Sequence, residues 1–145
     1  MKKTWLAVAF LLSLAIAGCG KIEEEPFPGI DIVYFSATLN GASEETATGS
    51  SGTGWAGGLF DNTSKTLSGT INYTGITPVA GHIHVGPLKT SGPIVFTFTP
   101  STSPINFEFV LTAAQEKDLF ADKYYINLHT TAFPEGEIRG QIITQ

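Results

Sequence analysis

The sequence is poor in the residues that cross-link small exported domains or give them strong charge. It contains a single cysteine, Cys19, so the chain cannot form an internal disulfide. Charged residues make up 14% of the chain, below the usual figure of about a quarter. Arg139 is the single arginine, and the formal net charge is −5. Because no basic stripe is present to neutralise phosphates, the composition argues against nucleic acid as a partner.

The sequence also lacks an apolar run long enough to cross a membrane. Residues 5–15 are apolar apart from Ser13, whereas a membrane-spanning helix needs about 20 such residues. Lys2 and Lys3 precede this run and small residues follow it, which is the order found in secretory signal peptides. We therefore predict that residues 1–18 are a signal peptide.

The end of this segment, Ile-Ala-Gly-Cys at residues 16–19, resembles the bacterial lipobox. That resemblance implies cleavage before Cys19 and lipidation of this residue with acyl chains such as palmitate. Two or more chains give stable anchoring, at about 0.8 kcal/mol per buried CH₂. We expect an exported protein that is lipid-anchored in the bacterial cell membrane or outer membrane. Residues 19–30 would be the lipidated cysteine and a tether, whose three glutamates are similar to signals for surface exposure.

The remaining residues, 31–145, are enough for one domain with a real core. Alternating apolar and polar residues predict strands at 31–39, 65–73, 81–85, 93–98, 105–111, 124–130 and 137–144, and the apolar run 55–60 predicts another. Residues 41–54 are predicted to be a polar, glycine-rich loop. Thr112 and Gln115 match a capping box, which predicts a short helix over 113–120. The expected fold is all-β: an antiparallel β-sandwich, immunoglobulin-like or superoxide-dismutase-like, with one short helix.

The three histidines are the strongest candidates for a functional site. His82 and His84 lie two apart on a predicted strand, so their rings point to one face. On another predicted strand, Tyr125, Asn127 and His129 also share a face. Three imidazoles from two strands are suitable ligands for copper or zinc. The alternative is a polar cluster without metal, in which the rings bond to neighbouring side chains or to the backbone.

Glu137 and Arg139 are a second candidate pair on the last predicted strand. Their spacing places both side chains on one face, where they could form an ion pair that fixes the strand. Asn127 and Glu137 could also orient metal-bound histidines. The other interpretation is that Arg139 binds a ligand. No nucleophile elbow, phosphate loop or carboxylate pair typical of catalysis is evident in the sequence, so we expect a protein that is not an enzyme.

Three ordered motifs carry a resemblance to a known family. They are Gly-His-Ile-His-Val-Gly-Pro at 81–87 with Gly-Pro-Ile-Val at 92–95, Tyr-Ile-Asn-Leu-His-Thr at 125–130, and Gly-Glu-Ile-Arg-Gly-Gln at 136–141. Together they resemble the CHRD (chordin-type) domain family over roughly residues 33–142. The resemblance implies a β-sandwich and an extracytoplasmic setting. The cysteine-rich modules of chordin are missing from this sequence, so growth-factor binding is not implied.

These observations predict a lipid-anchored module of the cell envelope that binds a ligand or an envelope or extracellular protein without catalysing a reaction. The alternative prediction is a metal-binding envelope protein that uses His82, His84 and His129 to hold copper or zinc.

Overall fold

The structure is a computed structural model that describes residues 31–100 and 102–145. The signal peptide (1–18), the lipidation at Cys19 and the tether to residue 30, all predicted from the sequence, lie outside the described residues. Within the described ranges, no helix has the length and apolar character that a membrane crossing requires.

The described chain forms one antiparallel sheet of nine strands and one α-helix. The strands are β1 (Ile32–Asn40), β2 (Thr53–Asp61), β3 (Thr66–Thr74), β4 (Ala80–Val85), β5 (Ile94–Phe98), β6 (Ile105–Val110), β7 (Tyr124–His129), β8 (Ile138–Gln141) and β9 (Ile143–Thr144), and the helix is α1 (Ala113–Phe120). Their order across the sheet is β5-β4-β7-β8-β1-β2-β3-β6, and β9 also pairs with β1. The all-β fold with one short helix is confirmed.

The sheet folds over on itself, so its two edge strands approach each other. Phe96 of β5 stacks on Phe109 of β6 with ring centroids 4.4 Å apart, and Phe98 stacks on Phe107 at 6.2 Å. No backbone pairing joins β5 to β6 in the described sheet, so the two edges meet through side chains. The enclosed face holds one apolar core, which is the sandwich-like arrangement that alternation along the strands predicts.

Helix α1 spans the predicted range, and a capping box marks its start. The Thr112 hydroxyl accepts a hydrogen bond from the backbone N–H of Gln115, and the Gln115 side chain accepts one from the N–H of Thr112. These two bonds satisfy donors that a helix start otherwise leaves unpaired. Leu119 is buried and attaches the helix to the core.

Two segments differ from the sequence-based expectation. The single strand predicted over 137–144 is two strands, β8 and β9, separated at Ile142, whose N–H donates to Tyr124 O of the neighbouring strand β7. The loop predicted over 41–54 contains a 3₁₀ turn at Gly41–Ser43, capped by Asn40, and it ends where β2 begins at Thr53.

Strand β7 explains where a site can form outside the core. All six of its residues are buried. Ile126 and Leu128 face the core, whereas Tyr125, Asn127 and His129 alternate onto the opposite, outer face. Loops around residues 41–48, 86–92 and 131–137 cover that outer face, so polar side chains on it are shielded from water.

Candidate functional site

The candidate site lies on the outer face of three neighbouring strands, β4, β7 and β8. In the sheet register His82 is opposite Asn127, which in turn is opposite Arg139. In the next rows His84 is opposite Tyr125, and Ala80 is opposite His129. Residues that are far apart in the sequence are therefore neighbours because antiparallel pairing aligns them.

The structure brings the three predicted histidines together. One potential ligand nitrogen from each of His82, His84 and His129 lies within 4.8 Å of the others. His82 Nδ1 and His129 Nε2 are 2.9 Å apart, a hydrogen-bond distance. Nitrogens that share a tetrahedral zinc are roughly 3.4 Å apart, given Zn–N bonds of about 2.1 Å. The spacing of the three nitrogens is therefore close to that of three ligands of one metal ion.

Two backbone carbonyls determine which ring nitrogens carry protons. His84 Nδ1 lies 2.9 Å from Gly92 O, and His129 Nδ1 lies 2.9 Å from Pro134 O. Because a carbonyl only accepts, the hydrogen-bond network assigns the proton to Nδ1 in both rings. Nε2 of His129 is then an acceptor, so His82 must donate from its Nδ1. His84 Nε2 keeps a free lone pair, is buried, and has no partner among the described residues.

Burial also favours the neutral form of His82 and His84. It lowers the pKa of His82 and of His84 below the usual 6.5, and in both cases proximity to His129 lowers the pKa further. For His84 the bond to Gly92 O acts in the opposite direction without reversing the shift. Neutral imidazole is the form that binds a metal ion, so the electrostatics of the cluster suit metal binding near neutral pH.

Tyr125 and Arg139 form the wall of the site beside His84. The Tyr125 and His84 rings stack with centroids 4.9 Å apart, and Arg139 Cζ lies 3.3 Å from the Tyr125 ring centroid. Arg139 is 1% exposed and donates to Thr90 O at 3.0 Å and Pro87 O at 2.9 Å. Its guanidinium thus holds the 86–92 loop across the outer face of the sheet.

The prediction that Glu137 and Arg139 form an ion pair is wrong, because both side chains bond to other groups. The Glu137 carboxylate instead accepts hydrogen bonds from Ser50 Oγ at 2.6 Å and Thr130 Oγ1 at 2.5 Å. Arg139 donates hydrogen bonds to carbonyls of the 86–92 loop, so the two side chains do not pair with each other. Glu137 fixes the 131–137 loop to the segment that leads into β2 and does not contact the histidine cluster through these bonds.

Glu44 belongs to the site but was not identified from the sequence. It lies in the 41–48 loop, is 6% exposed, and accepts a hydrogen bond of 3.5 Å from Asn127 Nδ2. Burial raises the pKa of Glu44 to about 7, although the charge of Arg139 and the bond from Asn127 act to lower it. No pattern in a polar loop distinguishes Glu44 from its neighbour Glu45, so only the folded arrangement reveals its burial.

These residues line a cleft of about 320 Å³, which we call the histidine cleft. Four of its lining residues have a buried side-chain atom without a hydrogen-bond partner in the described chain: Glu44 Oε1, His84 Nε2, Asn127 Oδ1 and Arg139 Nε. A neighbouring depression of about 510 Å³ shares Glu44 and Glu135 with the cleft. We call this depression the acidic mouth, because Glu45 also lines it.

Comparison with models of known protein families gives a match to one family. The model of the CHRD domain matches residues 35–142, a range that includes the histidine cleft and nearly all of the sheet. No curated protein and no solved structure gives a significant match. On the strength of the family match, and in agreement with the motifs around the three histidines, the chain belongs to the CHRD-domain family.

Proposed function

We propose that this protein is a non-enzymatic binding module of the bacterial cell envelope, held there by lipid on Cys19, and that the histidine cleft is its ligand site. The convergence of four unpartnered buried polar atoms on one cleft carries this proposal. A buried polar group left unpaired costs about 1–3 kcal/mol, and a ligand that supplies the missing partner recovers that free energy. Membership of the CHRD family supports a role in binding.

Site-specific photocrosslinking in the producing cells tests the cleft as a binding site. A benzophenone side chain replaces Ser91, which lines both the histidine cleft and the acidic mouth, or Asn72, an exposed residue of β3. We expect a discrete adduct from position 91 and none from position 72. Equal crosslinking at both positions, or none from position 91, would contradict the cleft as the contact surface.

A second candidate function is binding of a copper or zinc ion by His82, His84 and His129. The observation that favours it is the pair of hydrogen bonds that Nδ1 of His84 and of His129 donates to Gly92 O and Pro134 O, which leaves Nε2 of both rings without a proton. Proteins commonly orient metal-binding histidines in this way, through a hydrogen bond from the second ring nitrogen. Three protein nitrogens would leave a coordination position open to the cleft.

Calorimetric titration with Zn²⁺ and Cu²⁺ tests the metal site on protein purified without a polyhistidine tag. We expect stoichiometric uptake by the parent protein. Substitution His84→Ala should weaken binding at least about 100-fold, because it removes one of three ligands, and this loss corresponds to about 2.7 kcal/mol. Asn72→Ala should bind as the parent does. A parent protein that takes up neither ion, or a His84→Ala protein with unchanged affinity, would rule out this metal site.

A further inference from the structure

The free atoms of the histidine cleft are mainly acceptors, which limits the chemistry of its ligand. His84 Nε2 is an acceptor because the Nδ1 proton is used on Gly92 O. Asn127 directs its Nδ2 group to Glu44 Oε2 and Glu135 O, which leaves Oδ1 as a second free acceptor. Glu44 Oε1 is the third when this carboxyl group is ionised. A ligand that satisfies these atoms must therefore be a donor.

The one cation of the cleft does not make it an anion site. Both terminal nitrogens of Arg139 donate to loop carbonyls, at Thr90 O and Pro87 O, and its guanidinium faces the Tyr125 ring. One atom, Nε, remains without a partner. The carboxyl groups of Glu44, Glu45 and Glu135 line the same cleft and its mouth, so with Glu44 ionised, above its pKa of about 7, acidic charges outnumber Arg139 there and the local charge favours a positive ligand.

The cleft differs from an ordinary acidic surface because its acceptor side chains are buried. Glu44 is 6% exposed and Asn127 is 4% exposed, yet each has an oxygen without a partner in the described structure. The two hydrogen bonds from Asn127 Nδ2 are each 3.5 Å long, at the limit for such a bond. Gly136, at φ 128°, lies against this amide, where a Cβ would come within 2.5 Å of Asn127 Oδ1. The backbone therefore makes room for the amide beside Glu44.

The acidic mouth adds an apolar wall to this charged site. Ala47, Ala132, Phe133 and Pro134 line it together with Glu45 and Glu135. A lysine side chain has the matching composition, because its methylene stem packs on apolar surface while its ammonium group seeks acceptors. That ammonium group has three donors on one nitrogen, against the three free acceptors of the cleft. A compact point charge also fits an enclosed site better than the wide planar guanidinium of arginine.

We propose that the cleft binds a protonated primary amine, specifically a lysine side chain that enters through the acidic mouth and places its ammonium group beside Glu44 and Asn127. This inference rests on the proposed binding function and names the chemistry of its partner. The ligand would be a lysine-bearing segment of another polypeptide. A free diamine offers the same ammonium group without a peptide backbone.

Two-dimensional NMR titration of the full protein, treated with chelator to remove metal, tests this proposal. The probes are Nα-acetyl-lysine methylamide, cadaverine as a free diamine, and Nα-acetyl-norleucine methylamide, which keeps the apolar stem and lacks the ammonium group. We expect saturable shifts of the Glu44 and Gly136 amide signals with the lysine probe and none with the norleucine probe. Cadaverine binding as tightly as the lysine probe would overturn the polypeptide as the source of the amine.

Variants locate the interaction. Glu44→Gln keeps the shape of the side chain and removes its charge, and it should weaken binding of the lysine probe at least about tenfold. Glu108→Gln removes an exposed carboxylate on β6 and should have no effect. Unchanged binding by the folded Glu44→Gln protein, or absence of saturable binding by the parent, would overturn the proposal. Such a failure would leave the proposed function standing if Ser91 crosslinks or metal uptake are still observed.

Discussion

Glu44 has a carboxyl group whose environment favours its neutral form. Burial raises its pKa to about 7 from an ordinary value of 4.5, against the lowering effects of Arg139 and Asn127. Between these two pH values the folded protein binds a proton that the unfolded chain has released. The contribution of Glu44 to the free energy of unfolding therefore falls as the pH rises from 4.5 to 7, and it is constant above that range.

Substitution Glu44→Gln should remove this dependence, because glutamine does not titrate. We expect the variant to match the parent at about pH 4 and to be more stable at about pH 8, by at most about 3 kcal/mol. Urea unfolding of both proteins across this range measures the difference. Glu108→Gln, which changes an exposed carboxylate, controls for net charge. A difference between Glu44→Gln and the parent that does not change with pH would contradict the raised pKa.

The histidines show how far the sequence can predict this site at the level of single residues. Period-two alternation places His82 and His84 on one face, and Tyr125, Asn127 and His129 on another strand face, and the structure shows both groups on the outer face. The proximity of His129 to His82 depends on the pairing of β4 with β7, which single-strand patterns do not specify. The burial of Glu44 depends on a loop folding over the sheet, so it has no local signal.

At the level of elements, the limits of a helix or strand are predicted best where hydrogen bonds between residues close in the sequence set them. Helix α1 is bounded by hydrogen bonds between residues three apart, and its predicted limits are confirmed. The break between β8 and β9 is different, because it falls at Ile142, whose N–H donates to Tyr124 O of the neighbouring strand β7. Alternating residues do not specify which neighbouring strand pairs with each residue, so the pattern predicts one continuous strand.

Strand β7 belongs both to the core and to the candidate site, because its two faces carry different residues. Its core face is fixed by Ile126 and Leu128, which the alternation identifies. Its outer face would normally be open to water in an antiparallel sheet, and its polar residues suggest that. The loops that cover it are held by long-range bonds, such as those from Arg139 to Pro87 O and Thr90 O. Coverage by loops thus converts an ordinary polar strand face into a buried, chemically selective cleft.

For the molecule as a whole, the position of the cleft relative to the chain entry bears on the proposed anchor. The described chain enters the sheet at Ile32, the first residue of β1, and the row that contains Asn127 and Arg139 meets β1 at its other end, Asn40. Nine residues at about 3.3 Å each separate these ends by roughly 26–30 Å. The described chain therefore enters β1 at the end of the strand opposite to this row of the cleft.

Metabolic labelling with an alkyne analogue of palmitate tests the anchor itself. We expect label on the parent protein and none on Cys19→Ser, because the chain has no other thiol that could carry a thioether-linked lipid. Gly20→Ser, which alters the next residue and keeps the cysteine, should remain labelled. The Cys19→Ser protein should also keep the calorimetric and NMR behaviour of its cleft, since the residues that line the cleft all lie between Glu44 and Arg139 in the sequence. Label that persists on Cys19→Ser would contradict lipidation at this residue, whereas loss of label together with loss of binding would show that the anchor and the cleft are not independent.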